Sequence, residues 1–217
     1  MRGKNDSVSG PDWTHEARLQ SLHGGLVAGI DEAGRGPWAG PVVAAAVILD
    51  PACAPDGLND SKKLKEPQRE TLFDQICESS CVGVGIAEVA RIDRDNILQA
   101  TLWAMAQALA ALPDQPACAL VDGNRCPNLP CPAEPLIKGD ALSLSIAAAS
   151  IVAKVSRDRI MRDAARAYPS YGWERNKGYG TKQHARALSR YGATPFHRHS
   201  FKPVRAALAR SAEAKAG

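Results

Sequence analysis

The sequence predicts an α/β fold, a mixed sheet flanked by helices, and three observations carry that prediction. Residues 42–49, VVAAAVIL, form a continuous apolar run closed by Asp50-Pro51, the pattern of a strand buried on both faces. Runs at about 25–31, 42–49 and 81–89 follow one another as strands, which suggests an antiparallel meander. A long helical pattern then precedes a fourth apolar run at 117–121, and a strand reached through a helix suggests a parallel addition to the sheet.

Taken in order, residues 1–22 have no strong period and read as a poorly ordered tail, with part of a helix near 14–22. A single domain is expected over 23–217. Asp60 or Ser61 can cap a helix running to about Ser79, with Glu66 adding acid to its first turn. The spacing of Ile97, Thr101, Met105, Ala108 and Leu112 predicts a helix over 92–112, capped by Asp93 and closed by Pro113. Residues 126–135 are proline-rich and read as a loop, and Leu136-Ile137 reads as a short fifth strand. A long helix over 141–167 has an apolar face at Ile146, Ala149, Ala153 and Ile160, with basic residues on much of the rest. A Gly-Tyr loop at 177–181, a short helix at 182–191, a turn at 197–203 and a last Ala-rich helix near 203–214 make a helical C-terminal part from about 168 onward.

With 217 residues the chain is long enough for one domain with a substantial core. No apolar run approaches a membrane span, and the polar N-terminus lacks a secretory segment, so a cytoplasmic protein with no membrane partner is expected. The six cysteines lack zinc-ribbon spacing and read as structural thiols. Net charge is only +4, but it is unevenly placed. Residues 1–150 hold 12 Lys+Arg and 19 Asp+Glu, a net of −7, while residues 151–217 hold 15 and 4, a net of +11. A basic C-terminal third suggests a polyanionic partner, with a solvated helical surface as the plainer reading.

The chemistry is concentrated in LVAGIDEAGRGP, residues 26–37. Asp31 and Glu32 stand at the end of a strand, where charges need partners. They read either as a site for a hard cation, which favours carboxylate oxygens, or as a solvated turn. Gly34, Arg35 and Gly36 follow; glycines let backbone approach a ligand, and arginine suits phosphate. Asp122, with Gly123 behind it, ends the fourth strand, and Asp140 precedes the long helix. Singly these read as a turn and a helix cap. Jointly, four carboxylates where strands end and loops diverge fit two-metal phosphodiester hydrolysis.

DEAGRGPWAGPVVAAAVIL at 31–49 resembles the signature of ribonuclease HII, the bacterial type 2 ribonuclease H. The resemblance extends through LNDSKKL (58–64), VDG (121–123), KGD (138–140), SIAAASIVAKVSRD (145–158), KGYGT (177–181) and HRHSFKP (197–203). It implies the ribonuclease H-like fold, a five-stranded mixed sheet flanked by helices with a helical C-terminal part. It implies an endonuclease that cuts the RNA strand of RNA–DNA hybrids and nicks 5′ of single ribonucleotides in duplex DNA, leaving 3′-hydroxyl and 5′-phosphate ends. By resemblance Asp31, Glu32, Asp122 and Asp140 are catalytic ligands of Mn2+ or Mg2+. Gly34, Arg35 and Gly36 read the 2′-hydroxyl, and Tyr179 stacks on the neighbouring deoxyribose. Lys62 lies near the substrate, and Ser150, Lys154 and Lys182 are further candidates for phosphate contact. A monomer is expected. A structure-specific DNA nuclease of the same fold and a non-catalytic hybrid-binding module are the alternatives.

Overall fold

The structure, a computed structural model, describes residues 10–216, with side chains through Arg210. Strands Val27–Ala33 (β1), Val42–Ile48 (β2), Cys81–Ala87 (β3), Cys118–Asp122 (β4) and Ala133–Leu136 (β5) form one sheet in the order β3-β2-β1-β4-β5. The first three pair antiparallel, and β4 and β5 add in parallel beside β1. The expected meander and parallel addition are both present. Helices are Thr14–His23 (α1), Glu66–Ser79 (α2), Val89–Ala110 (α3), Leu144–Ala167 (α4), Trp173–Asn176 (α5), Lys182–Tyr191 (α6) and Lys202–Ala216 (α7).

All seven residues of β2 are buried because both faces of the sheet are covered. Ala44 and Ala46 share one cluster with Ala104, Met105 and Ala108 of α3. Ala45 and Val47 share the other with Ala147–Ala149 and Ile151 of α4 and with Leu72 and Ile76 of α2. The alanines let α4 lie directly on β1. A Cβ at Gly29 would collide with the Ser145 and Ile146 backbone, so only glycine fits that point of β1.

Several boundaries differ from expectation, each for a local reason. The helix expected from Asp60 or Ser61 starts at Glu66 instead, with Pro67 in its first turn, where proline is tolerated. Residues 59–63 close their own turn: Asp60 Oδ1 accepts from Lys62 N at 2.9 Å, and Asp60 O from Lys63 N at 2.9 Å. Helix α3 is broken at Asn96 (φ 68°), whose Oδ1 accepts from Leu98 N and Gln99 N and so caps the second segment. The expected cap, Asp93, accepts from His199 N, Ser200 N and Ser200 Oγ, tying α3 to the C-terminal turn. The fifth strand begins at Ala133, within the expected loop, and carries Pro135 on the sheet edge, where a missing N–H is harmless. A 3-10 turn, Gly139–Ala141, precedes α4, which starts at Leu144 with Ser143 as its cap.

Of the expected tail, residues 1–9 lie outside the described residues. Residues 14–23 are helix α1, and its Glu16 is fully buried. Glu16 Oε1 accepts from Ser143 Oγ, from Ser145 Oγ at 2.7 Å and from Ser145 N at 2.9 Å, fastening α1 to the start of α4. All six cysteines are free thiols. Among the described residues no helix is long and apolar enough to cross a membrane.

Candidate active site

The sheet topology brings the carboxylates to one end. Strands β1 and β4 are parallel neighbours with Ile30 opposite Val121, so the next residues, Asp31 and Asp122, leave the same edge side by side. Ligand sites of open sheets lie outside the carboxyl ends of strands where connections diverge. The turn before α4 supplies Asp140, and Gly139 N donates to Asp122 Oδ1 at 2.7 Å, joining the two.

Each carboxylate has a protein partner. Asp31 Oδ1 accepts from Glu32 N at 2.7 Å, Glu32 faces Arg35 Nη1 at 3.3 Å, and Asp140 lies 3.6 Å from Lys62 Nζ. Burial, then the charges of Glu32, Asp122 and Asp140, hold the Asp31 carboxyl well above the usual carboxylate range. Burial raises Glu32 too, against the pull of Arg35. Asp140 is raised by burial and by Asp60 and Asp122, with Lys62 opposing. Among the described residues no three of these groups are gathered close enough to hold an ion as they stand. The donor set is all oxygen and under-compensated, which fits a hard divalent cation.

Beside Asp31 and Glu32 opens a cavity of about 250 Å³, walled by the Gly34–Gly36 loop, Lys62, Lys154 and Tyr179. A Cβ on Gly36 would stand 3.5 Å from Tyr179 Cε1, so the half-exposed tyrosine ring rests against the glycine loop. A second cleft, about 190 Å³, shares Glu32 and Arg35 and adds Asp122, Asn124 and Arg125. Ser150 lines the first cavity but is buried, and its hydroxyl donates to Ser61 Oγ at 2.7 Å, bracing the turn that carries Lys62. Lys154 Nζ lies 2.6 Å from Asp158; burial lowers the lysine pKa, and Asp158 works against that. Lys182 does not line the cavity and stands exposed at the start of α6.

Sequence reasoning missed the two residues that hold the glycine loop. Arg198 and Arg157 are both buried. The Arg198 guanidinium donates to five carbonyls: Gly34, Arg35, Pro37, Gly40 and Pro41. Arg157 donates to Pro41, Ala39 and Lys177. Gly34 (φ 101°) is required here, because a Cβ would overlap Arg157 Nε and Cδ. Burial, and then Arg157, lower Arg198 to about 9, and burial lowers Arg157 to about 10, so both stay charged at neutral pH. A signal for Arg157 existed, since it falls four residues after Ala153 on the apolar face of α4. Arg198 sits in HRHSFKP with no pattern that marks it as buried.

A family model described as Ribonuclease HII matches residues 28–204. The chain belongs to the ribonuclease HII family. Ribonuclease HII of Paramagnetospirillum magneticum is 60% identical over 185 residues, 83% of this chain and 92% of that one. The crystal structure of ribonuclease H2 from Pyrococcus horikoshii OT3 matches with TM-score 0.72 and 28% identity, over 85% of this chain and 98% of that one. Bst-RNase HIII in complex with Mn2+ matches at TM-score 0.63 and 20% identity over 87% and 70%, a likeness of fold alone. The ribonuclease H-like fold expected from the sequence is therefore the fold observed. As a member of the ribonuclease HII family the chain is a ribonuclease H, which cleaves RNA in RNA–DNA hybrids. The non-catalytic binding module is thereby set aside.

Proposed function

We propose that this ribonuclease H also nicks duplex DNA 5′ of single embedded ribonucleotides, leaving 3′-hydroxyl and 5′-phosphate ends, and that it acts as a monomer. Asp31, Glu32, Asp122 and Asp140 are the residues that hold its divalent ions, Mg2+ or Mn2+. Bound there, such ions supply an activated water and stabilise charge on the phosphate and the leaving oxygen. The protein's part is to place the substrate. The N–H groups and side chain of Gly34–Gly36 meet the 2′-hydroxyl, the group that tells RNA from DNA at one position. The Tyr179 ring packs on the next sugar, where an aromatic face with a hydroxyl tip suits a deoxyribose and its phosphate. Lys62 and Lys154 face phosphates in the cleft, Ser150 supports Lys62 through Ser61, and Lys182 meets the backbone farther along.

The observation that carries this reading is the placement of Tyr179 beside Gly36 in the wall of the cavity that holds Asp31 and Glu32. A sugar-reading pair beside a carboxylate cluster suits a lone ribonucleotide better than a structure-specific DNA junction. The test is a gel assay on a duplex with one ribonucleotide, an all-DNA duplex and a longer hybrid, each with Mg2+, Mn2+ or chelator. Metal-dependent nicking 5′ of the lone ribonucleotide, absent from the DNA control and from Asp31→Asn, is expected. Cutting of the long hybrid alone would refute the roles given to Arg35 and Tyr179. Cutting of the all-DNA duplex would favour the DNA-nuclease reading.

A further inference from the structure

We infer that the buried pair His184 and His197 positions Tyr179, acting on the tyrosine's backbone carbonyl and never on substrate. The inference rests on the sugar-reading role proposed for Tyr179. Both imidazoles are fully buried, and they meet Nε2 to Nε2 at 3.0 Å. The hydrogen bonds assign every proton along the chain. Thr194 N–H points at His197 Nδ1 from 3.0 Å, so that nitrogen is an acceptor. His197 then carries its proton on Nε2 and donates it to His184 Nε2. Trp173 Nε1 lies 3.3 Å from the same His184 nitrogen and also donates to it. His184 therefore carries its proton on Nδ1, which lies 2.9 Å from the carbonyl oxygen of Tyr179.

The result is a one-way wire: Thr194 N–H to His197, His197 to His184, His184 to Tyr179 O. It holds only while both rings are neutral, since protonating either sets two N–H groups against each other. Its end point is the exposed loop that carries the tyrosine. That loop has a second anchor, because Trp38 N donates to Gly178 O at 2.9 Å and the Trp38 ring fills the space a Cβ on Gly180 would need. The residue after His197 is Arg198, whose guanidinium holds the glycine loop. One dipeptide thus sets both walls of the sugar-reading cleft, the tyrosine through His197 and the glycine loop through Arg198.

The test exploits the two ends of the imidazole. In His184→Asn the amide nitrogen can stand where Nδ1 stood and still donate to Tyr179 O. In His184→Gln the amide reaches the Nε2 position and leaves Tyr179 O without its donor. The readout is the ratio of kcat/KM for a lone-ribonucleotide duplex to that for a longer hybrid, with thermal melts of each variant. We expect His184→Gln to lower the ratio about 10-fold, the effect of one buried hydrogen bond, and His184→Asn to restore most of it. In a Tyr179→Ala background the two variants are expected to be equal. Nitrogen-15 spectra of the unmodified protein are expected to show Nδ1–H for His184 and Nε2–H for His197, a readout that needs no variant to fold. The opposite tautomers, equal ratios for Asn and Gln beside an intact Tyr179, or a Gln defect that persists without Tyr179 would each overturn the inference. A ratio unchanged by Tyr179→Ala would overturn the reading of Tyr179 and the inference with it. A ratio lowered by Tyr179→Ala but not by His184→Gln would overturn the inference alone.

Discussion

Asp31 is a buried carboxylate that feels the charges of Glu32, Asp122 and Asp140, and that arrangement costs the fold stability. Asp31→Asn should therefore raise the melting temperature in chelator, by about 3 °C, the shift that about 1 kcal/mol gives a chain of this size. With saturating Mg2+ the gain should vanish, because a bound ion stabilises the native state by mass action. Thermal melts in both conditions check this; equal gains with and without metal would count against a cation among these carboxylates. His197 offers a test that reads pH. Burial, then His184 and His199, push it from an ordinary imidazole value to about 3. The unfolded chain takes up its proton below about pH 6.5 while the folded chain does not, so stability rises with pH through that window and falls as pH drops toward 4. Urea midpoints from pH 7 to 4 should show a slope that His197→Asn reduces by about one proton, less any share carried by His184.

At the scale of elements, the N-terminal helix matters more than its sequence suggests. Its ten residues have no clear apolar stripe, and its buried anchors are Glu16, on the Ser143–Ser145 start of α4, and Leu19, which packs with Val27, Leu120 and Ile146. Glu16→Ala should cost about 2 kcal/mol, since three donors lose their acceptor inside the protein. Amide exchange in residues 14–23 should quicken well before the sheet is affected, and equal protection in the variant would show that α1 is held otherwise. Helix α4 itself is the spine of the site. It carries Ser150 under the Lys62 turn and Arg157 under the glycine loop, while its alanines bring it onto β1. Asp93, in the segment of α3 before the break at Asn96, holds the 199–200 backbone, so even the far helix helps place the turn that contains Arg198.

Across the whole molecule, the basic C-terminal third proves to be several different things. Arg157 and Arg198 are internal struts. Arg159 and Arg162 bind Glu70 and Glu66 of α2. Lys182 is exposed, as is Lys62 from outside this third, and both are proposed to meet the substrate backbone. Binding to a hybrid in chelator, measured across salt concentrations, should lose a slope of about one on replacing either lysine with alanine. Arg162→Ala should leave the slope unchanged and lower stability instead, and a changed slope there would return that arginine to the nucleic-acid face. The same contrast marks what was legible beforehand. Asp31, Glu32, Asp122 and Asp140 were visible because a charge ending an apolar strand or opening a helix is a local pattern. Arg198 was not, because five of its hydrogen bonds reach residues 157–164 positions away.

The sequence by itself determined the elements and their chemistry: apolar runs that must be strands, periodic stretches that must be helices, acidic residues at strand ends, and glycines around Arg35. These follow from side-chain period and backbone permission, which act over a few residues. The tertiary structure alone decided which carboxylates share an edge, because β4 pairs with β1 across some ninety residues of chain. It alone separated the arginines that face solvent from those that brace loops, and joined His184 to His197 beneath Tyr179. Burial and hydrogen-bond partnership belong to the packed molecule, and a residue's letter does not reveal them until the chain has closed around it.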